Sequence, residues 1–148
     1  MKYHIRQPVT EDELCQYFHL RWKLLRAPWQ QLEGTEKDGM ETQCIHLMAI
    51  TDGGTVIGVG RLQYNTMVEA QIRYMAVEKS HERQGIGHRL LTTLERHAVE
   101  SEHHTVILDA RESAVGFYQK SGYSIIEKSY LLFGDIQHYR MAKALNNE

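Results

Sequence analysis

A glycine pair in the second half of the chain is the first feature that could bind a ligand. Gly85-Ile86-Gly87 follows a predicted strand and opens a predicted amphipathic helix. The backbone N–H groups of such a turn, with the positive end of the helix dipole, form a binding site for an anion such as phosphate. The alternative is a tight turn that needs only the conformational freedom of glycine. The pair alone does not decide between the two.

The residues around this pair narrow the choice of nucleotide-binding motifs. No Gly-Lys-Ser/Thr follows it, which excludes a Walker P-loop. Asp109 ends the next predicted strand, as the acid of a Rossmann fold does. Against that fold, Leu90 stands at the third glycine position, and seven residues separate Val77 from Gly85. A dinucleotide-binding fold is therefore disfavoured.

Two arginines lie where apolar residues are expected. Arg21 falls at the centre of the apolar stripe that Tyr17 and Phe18 help to form on the first predicted helix. Because a guanidinium is rarely buried alone, Arg21 either meets a structural carboxylate, lines a cleft open to an anionic ligand, or snorkels to water. Arg73 lies in the middle of a predicted strand, where it needs a similar partner on a covered face or else faces water.

Apolar periodicity predicts the elements that must position these residues. Alternation and short apolar runs predict strands at residues 2–7, 44–50, 55–64, 68–78, 106–108, 123–133 and 136–145. Helical spacing predicts helices from Thr10 to about Leu25, from just after Gly87 through Leu90, Leu91, Leu94 and Ala98, and over 112–120. The order is β, α, β, β, β, α, β, α, β, β, which is typical of a mixed sheet with helices packed on its faces.

Composition places the chain among ordinary globular domains. Its 148 residues suit one domain, so residues 1–148 are predicted to fold as a single unit. Apolar residues make up 42% and charged residues 24%, which excludes a disordered or collagen-like chain. The formal net charge is −2, so no overall field would attract nucleic acid or an anionic membrane.

Cysteine content and terminal sequence predict the compartment. Cys15 and Cys44 do not form a C-x-x-C pair, and we expect them to be reduced core residues. Residues 1–6 lack the apolar core of a signal peptide, and no stretch approaches the roughly 18 apolar residues that span a bilayer. The expectation is a soluble cytoplasmic protein.

Two blocks of sequence resemble the GNAT superfamily of N-acetyltransferases. Arg-Gln-Gly-Ile-Gly-His-Arg-Leu-Leu at 83–91, after Tyr-Met-Ala-Val at 74–77, looks like that superfamily's acyl-CoA loop. Residues 114–123 match its pattern Ala-x-x-Phe-Tyr-x-Lys-x-Gly-Phe/Tyr. With the order of elements, the resemblance covers nearly the whole chain. It departs at Glu82, where the superfamily usually has Arg or Gln.

The resemblance implies an α/β (α+β) fold in one domain, with a mixed, mostly antiparallel sheet and helices on both faces. It also implies acetyl-CoA as the acetyl donor and Tyr118 as the acid that protonates the leaving sulfur. A backbone N–H at Met75 would stabilise the oxyanion. The residues implied to contact the donor are Met75, Ala76, Val77, Arg83, Gln84, Gly85, Ile86, Gly87, His88, Ser113 and Phe117.

A small-molecule branch of the superfamily, which includes glyphosate N-acetyltransferases, is similar at four further positions. Arginines at positions matching Arg21, Arg73 and Arg111 bind the acid groups of the acceptor in that branch. A histidine matching His138 serves there as the base. Planar guanidinium groups suit carboxylates and phosphonates because two parallel N–H donors meet two oxygens. The resemblance therefore implies an anionic acceptor.

The predicted activity is transfer of the acetyl group of acetyl-CoA to the primary amine of a small, anionic, amino-acid-like acceptor, by direct attack in a ternary complex. The alternatives are acetylation of a protein amino terminus or lysine, and a non-catalytic acyl-CoA-binding module; a nucleotide-dependent oxidoreductase ranks last. We expect a monomer or a homodimer with no nucleic-acid or membrane partner. No metal is expected, because His97, His103 and His104 lack a recognisable ligand spacing.

Overall fold

The computed structural model describes residues 2–145, so Met1 and residues 146–148 of the predicted domain lie outside the described part. The strands are β1 (Tyr3–Arg6), β2 (Ile45–Thr51), β3 (Val56–Tyr64), β4 (Glu69–Val77), β5 (Thr105–Arg111), β6 (Ser124–Leu132) and β7 (Ile136–Ala144). The helices are α1 (Glu11–Leu25), α2 (Ile86–Glu100) and α3 (Val115–Lys120).

All of these strands belong to one sheet of order β1-β2-β3-β4-β5-β7-β6. Every neighbouring pair is antiparallel except β4 and β5, which run parallel. The predicted mixed, mostly antiparallel sheet is therefore confirmed. The one parallel pair lies at the centre of the sheet, where α2 provides the crossover that a parallel connection requires.

Helix α1 begins where the sequence predicts it because Thr10 and Glu13 form a capping box. The Thr10 hydroxyl accepts a hydrogen bond from the Glu13 N–H at 3.1 Å, and the Glu13 carboxylate accepts one from the Thr10 N–H at 3.3 Å. These two bonds satisfy N–H groups that the first turn of a helix leaves free. Arg6 of β1 also donates to Glu13 and so joins the strand to the helix start.

The two long helices cover opposite faces of the sheet. Successive residues of a strand point to opposite sides, and β2 shows this directly. Leu47 and Ala49 pack in the same cluster as the leucines of α2, whereas Met48 and Ile50 pack with Tyr17 and Leu20 of α1. The prediction of helices on both faces is therefore confirmed.

Three local expectations are refined by the structure. The predicted helix at 112–120 begins as a 3₁₀ turn at Glu112–Ala114 before α3. Cys15 is exposed on the side of α1 turned away from the sheet, so its predicted core position is wrong. Cys44 is half-buried, and both thiols are free. Within residues 2–145, no helix combines the length and apolar character that a membrane span requires.

Candidate active site

A cleft opens where the parallel strands β4 and β5 separate. The two strands pair only over Glu69–Gln71 and Thr105–Ile107. Beyond these residues they diverge, and a cavity of about 430 Å³ lies between 72–77 and 108–111. The cleft-side backbone groups of β4 are left without a strand partner there. Such unpaired groups can bind an extended ligand as an added strand would.

A β-bulge in β4 sets the direction of the chain along this cleft. Arg73 lies opposite Arg61 on β3 and Ala76 lies opposite Val59, so Tyr74 and Met75 together face Gly60. Tyr74 has a φ of 56°, which is rare for a residue other than glycine. A bulge of this kind bends the strand and redirects its backbone groups.

A buried tyrosine of α1 satisfies the backbone opposite the bulge. The Tyr17 hydroxyl donates a hydrogen bond to the Gly60 carbonyl oxygen at 3.0 Å and accepts one from Arg21 Nη2 at 3.1 Å. Because the bulge interrupts the β3–β4 ladder at Gly60, this carbonyl depends on Tyr17 for a partner. The first helix therefore stabilises the irregular strand that borders the cleft.

The glycine loop lies at one end of the cleft and fits a phosphate group. Gly85 is the N-cap of α2 with a φ of 81°, and no side chain caps the helix. The free N–H groups of the first turn are therefore available to an anion. Arg83, Gln84 and His88 are exposed beside them, as is Glu82. Ile86 is only 1% exposed, so its side chain belongs to the core and only its backbone can face a ligand.

The other residues implied to contact the donor lie on both walls of the cleft. Met75, Ala76 and Val77 of β4 line one side of the cavity, and Ser113 lines the other. Phe117 does not line the cavity; its ring packs over Gly87, where a Cβ atom would lie 3.4 Å from Phe117 Cζ. The ring therefore supports the loop from the side of α3.

Tyr118 lies on α3 with its side chain 8% exposed and lines the same cavity. Burial raises the pKa of the Tyr118 phenol above its usual range. No described residue hydrogen-bonds its hydroxyl. The phenol is therefore neutral at physiological pH and holds a proton that it can donate.

His138 lies on β7, directly opposite Arg111 of β5, and lines the cavity. Its Nδ1 is 3.0 Å from the Ile136 carbonyl oxygen, and its ring stacks on Tyr130 with centroids 4.4 Å apart. Because a carbonyl only accepts hydrogen bonds, Nδ1 carries the proton of the neutral ring and Nε2 keeps a free lone pair.

Burial and the nearby positive charges favour the neutral form of the His138 ring. Burial lowers the pKa of His138 below its ordinary value, and the positive charges of Arg111 and Arg26 lower it further. The hydrogen bond to Ile136 and the negative charge of Asp109 act in the opposite direction. The result is an imidazole that can accept a proton at neutral pH.

Three guanidinium groups line the cavity, and one of them differs from the sequence prediction. They belong to Arg26, Arg73 and Arg111. Arg73 is 3.6 Å from Asp38 Oδ2. Arg111 donates only to the Leu25 carbonyl, at 3.4 Å, and Arg26 donates to the carbonyls of Thr35 and Leu25 at 3.2 Å. Among the described residues, neither Arg26 nor Arg111 has a carboxylate partner.

Arg21, which the sequence analysis placed in the acceptor site, does not line this cavity. It is fully buried, and its Nη1 lies 2.9 Å from Glu41 Oε2 and 3.1 Å from the Glu36 carbonyl oxygen. Arg61 is buried beside it and binds both oxygens of Asp38, at 2.7 and 2.9 Å. Of the alternatives for Arg21, the structure shows the carboxylate partner, so its assignment to the acceptor is corrected.

Arg26 lies in the cleft because it follows the last residue of α1. The centre of the apolar stripe points at the sheet, where Arg21 is buried, whereas the C-terminal end of the helix reaches the edge of the cleft. Tyr74 separates the two groups of arginines: its ring centroid is 4.5 Å from Arg21 Cζ and 4.7 Å from Arg73 Cζ. The position of Arg26 at a predicted helix end was the only signal in the sequence for its place in the cleft.

Among the cavity residues absent from the predicted site, three lie beside His138 or the cavity arginines. Tyr130 of β6 stacks on His138, Tyr74 forms part of the β4 wall, and Asp109 lies two residues before Arg111 on β5. The alternation of β5 places Asp109 and Arg111 on one face. That spacing was visible in the sequence. It indicates that Asp109 also faces the cavity once Arg111 is known to line it.

Comparison with known proteins identifies the family of this fold and cleft. The profile of the acetyltransferase (GNAT) domain matches residues 27–145. The chain belongs to the GNAT acetyltransferase family. Members of this family take their acetyl group from acetyl-CoA, so the protein is an acetyl-CoA-dependent N-acetyltransferase.

Individual relatives agree with this assignment. The uncharacterised N-acetyltransferase YjcF of Bacillus subtilis strain 168 is 28% identical over 134 residues, which cover 90% of this chain and 94% of YjcF. A structure from Lactobacillus plantarum, assigned as an N-acetyltransferase, superposes with a TM-score of 0.86 at 19% identity and covers 99% of this chain and all of its own. An aminoglycoside 6'-N-acetyltransferase complexed with coenzyme A has a TM-score of 0.79 at 19% identity, with 97% of both chains covered. The two structures show the same fold.

Proposed function

We propose that this acetyltransferase modifies the primary amine of a small, anionic, amino-acid-like acceptor. The observation that carries the proposal is the pair Arg26 and Arg111, two guanidinium groups that line the cavity and have no carboxylate partner among the described residues. Burial lowers the pKa of Arg111, and the positive charge of Arg26 lowers it further, so the pair is stabilised by an anion bound between them.

Arg73 supplies a third donor to the same anion. Its guanidinium side chain is 37% exposed, and it is only loosely tied to Asp38 at 3.6 Å. Three planar groups can together hold a carboxylate or a phosphonate. The likeness to the small-molecule branch that includes glyphosate N-acetyltransferases is part of this proposal, with Arg26 in place of Arg21.

The proposed chemistry uses one base and one acid. His138 Nε2 takes a proton from the acceptor ammonium, and the freed amine attacks the acetyl carbonyl. The bulged strand at Met75 supplies a backbone N–H to the oxyanion. Collapse of the tetrahedral intermediate breaks the carbon–sulfur bond, and Tyr118 gives its proton to the departing sulfur. The attacking nitrogen still carries one excess proton, which passes back to the Tyr118 oxygen, so the only proton released overall is the one that His138 took. The products are the N-acetylated acceptor and coenzyme A.

Direct transfer within a ternary complex is favoured because no cysteine thiol lines the cavity to carry the acetyl group. The chain has two cysteines, Cys15 and Cys44, and neither lines the cavity. A covalent acetyl-enzyme would need such a nucleophile beside a base. The proposal therefore has the donor and the acceptor bound together.

A panel of acceptors tests the proposal through the release of coenzyme A thiol. The panel holds acidic amino acids, neutral amino acids, aminophosphonates and a lysine peptide. We expect acidic acceptors to be used best and Arg111→Ala to remove that preference, raising the acceptor KM by roughly 30-fold or more, since loss of one partner from a desolvated ion pair costs about 2–5 kcal/mol. Arg96→Ala, at an exposed position of α2, is the control.

The panel also separates the proposal from its rival. If Arg111→Ala and the parent protein prefer acidic over neutral amines equally, the anionic acceptor is wrong. Turnover of the lysine peptide alone would establish a protein acceptor instead.

A further inference from the structure

One carboxylate stands in the wall of the cavity that carries the proposed base. Asp109 lines the cavity, and its side chain is 11% exposed. It lies two positions before Arg111 on β5, so the two side chains project from the same face of the strand, about 7 Å apart along it. Glu82, the other acid that lines the cavity, belongs to the segment before the glycine loop.

The pairing of β5 with β7 places Asp109 beside His138. Asp109 faces Arg140 across the ladder, and Arg111 faces His138. Because the two members on each strand are two positions apart, both pairs lie on the same face of the sheet. Asp109 and His138 are therefore diagonal neighbours, and the negative charge of Asp109 acts on the pKa of His138.

Arg140 holds the Asp109 carboxylate but leaves room for another donor. Arg140 Nε lies 2.7 Å from Oδ1, and Nη2 lies 3.0 Å from Oδ2. Arg140 does not line the cavity, and no other described residue donates to Asp109. An ionised carboxylate offers about four acceptor positions, so two of them remain after the Arg140 pair is made.

We propose that Asp109 binds the ammonium group of the acceptor and thereby selects zwitterions over simple anions. The inference rests on the proposed function. Arg26, Arg73 and Arg111 attract the acid group of the acceptor but repel its ammonium group. The amine must nevertheless reach His138 to lose its proton. Asp109 provides the negative charge that holds it there, close to His138 and about two residues along the strand from Arg111.

The competing explanation is an ion pair that only joins β5 to β7. Under that explanation the two partners are equivalent, and removal of either Asp109 or Arg140 has the same effect on the acceptor site. Under the proposal they are not equivalent, because only Asp109 faces the cavity. Matched variants at the two positions therefore separate the explanations.

The experiment measures binding rather than turnover. Calorimetry in the presence of coenzyme A, which cannot transfer an acetyl group, gives dissociation constants for L-aspartate and for succinate, which lacks only the amine. The same pair of measurements uses 2-aminoethylphosphonate and ethylphosphonate. The ratio of the two constants isolates the contact with the amine from the contact with the acid.

Asp109→Asn is expected to reduce the preference for the zwitterion by roughly 10- to 100-fold, the range for one hydrogen bond to a charged group. Binding of succinate should be unchanged or tighter, because a negative charge near it has been removed. Arg140→Gln should keep the preference or increase it, since Asp109 is then free of its partner. Asp109→Glu, which retains the charge, should restore part of the preference.

Two results would overturn the inference. They are an equal loss of preference in Asp109→Asn and Arg140→Gln, and an unchanged preference in Asp109→Asn. If Asp109→Asn unfolds because Arg140 is left unpaired, the double variant with Arg140→Gln carries no buried charge at the pair and gives the same ratio. Failure of the parent protein to bind any of the four probes would contradict the proposed function, which is a distinct outcome.

Discussion

At the scale of single residues, the properties of His138 depend on the charges that face it. Arg111 lies opposite it on β5, Asp109 lies diagonally on the same strand, Arg26 approaches from the end of α1, and Tyr130 of β6 stacks on its ring. Burial and the two cations lower the pKa of His138, and the hydrogen bond to the Ile136 carbonyl and the charge of Asp109 oppose them. His138, the proposed base, is therefore expected to stay neutral at pH values somewhat below its ordinary pKa of 6.5.

This balance predicts the pH dependence of the reaction. In the free enzyme, kcat/KM should rise with pH through an ionisation below the ordinary histidine value of 6.5 and level off above it, because only the neutral ring accepts a proton. His138→Ala should flatten this limb and lower kcat. His4→Ala, which changes an exposed histidine of β1, is the control. A limb that persists in His138→Ala would place the base elsewhere.

At the scale of the elements, the site depends on how the ends of strands and helices meet. The bulge at Tyr74 bends β4, Tyr17 of α1 satisfies the carbonyl opposite it, and α1 ends at the cleft with Arg26. The uncapped start of α2 meets the same cleft. Each element contributes through its irregular or terminal part, and the regular parts form the two cores.

Gly87 provides a test of the contact between α2 and α3. A Cβ atom at this position would lie 3.4 Å from Phe117 Cζ and 3.7 Å from Val77 Cγ2. Gly87→Val adds two further methyl groups to this contact and should shift the loop, weakening acetyl-CoA binding about tenfold or more, as expected for one or two lost backbone hydrogen bonds to phosphate. Calorimetry with acetyl-CoA measures this loss.

Gly116→Val is the matched control, because a Cβ atom at Gly116 meets nothing within 4 Å. Thermal melting of both variants checks that the fold survives. Equal acetyl-CoA affinity in Gly87→Val and the parent protein would show that the donor does not use this loop.

The sequence predicted these elements well but not their irregularities. Period and capping signals are local, so α1 was predicted with its observed ends and each strand within a few residues. The bulge at Tyr74 depends on pairing with β3, which no local signal reports. A helical wheel gave the face on which Arg21 lies but not the distance of that face from the cleft. Arg26, which lines the cavity, was therefore missed.

At the scale of the whole molecule, the separation of β4 and β5 affects stability as well as the site. It places ionisable groups of the cleft in partly buried surroundings on one side of the sheet, and the free energy of unfolding then depends on pH. The buried cluster of Arg21, Arg61, Asp38 and Glu41 then joins α1, the segment before β2, and β3. Ion pairs that are buried in this way are strongly destabilising when one partner loses its charge.

The resulting pattern of pKa values predicts that acid destabilises the fold. The pKa values of His46 and His138 are lowered from their ordinary value of 6.5, chiefly by burial. As the pH falls through 6.5, the unfolded chain binds protons that the folded chain does not, so the free energy of unfolding decreases. Between about pH 7 and 5, Tm should therefore fall steadily, and above pH 7 these two groups should contribute no slope.

A second loss should follow at lower pH, where carboxylates begin to take up protons. Hydrogen bonds from Arg61 hold the pKa of the Asp38 carboxyl well below its usual range. Hydrogen bonds from the Asp38 N–H and from Arg21 lower the pKa of Glu41, although burial acts in the opposite direction. The hydrogen bond from Arg6 lowers the pKa of Glu13 to about 2. These three carboxylates contribute to the free energy of unfolding at pH values above their pKa in the unfolded chain, which is near 4, and the contribution is lost as the pH falls below that value. Differential scanning fluorimetry from pH 8 to about 2.5 measures both steps. In the double variant His46→Asn and His138→Asn, the decrease in Tm between pH 7 and 5 should disappear, while the decrease at lower pH remains. A Tm of the parent protein that stays constant from pH 7.5 to 5 would contradict the assignment to the two histidines.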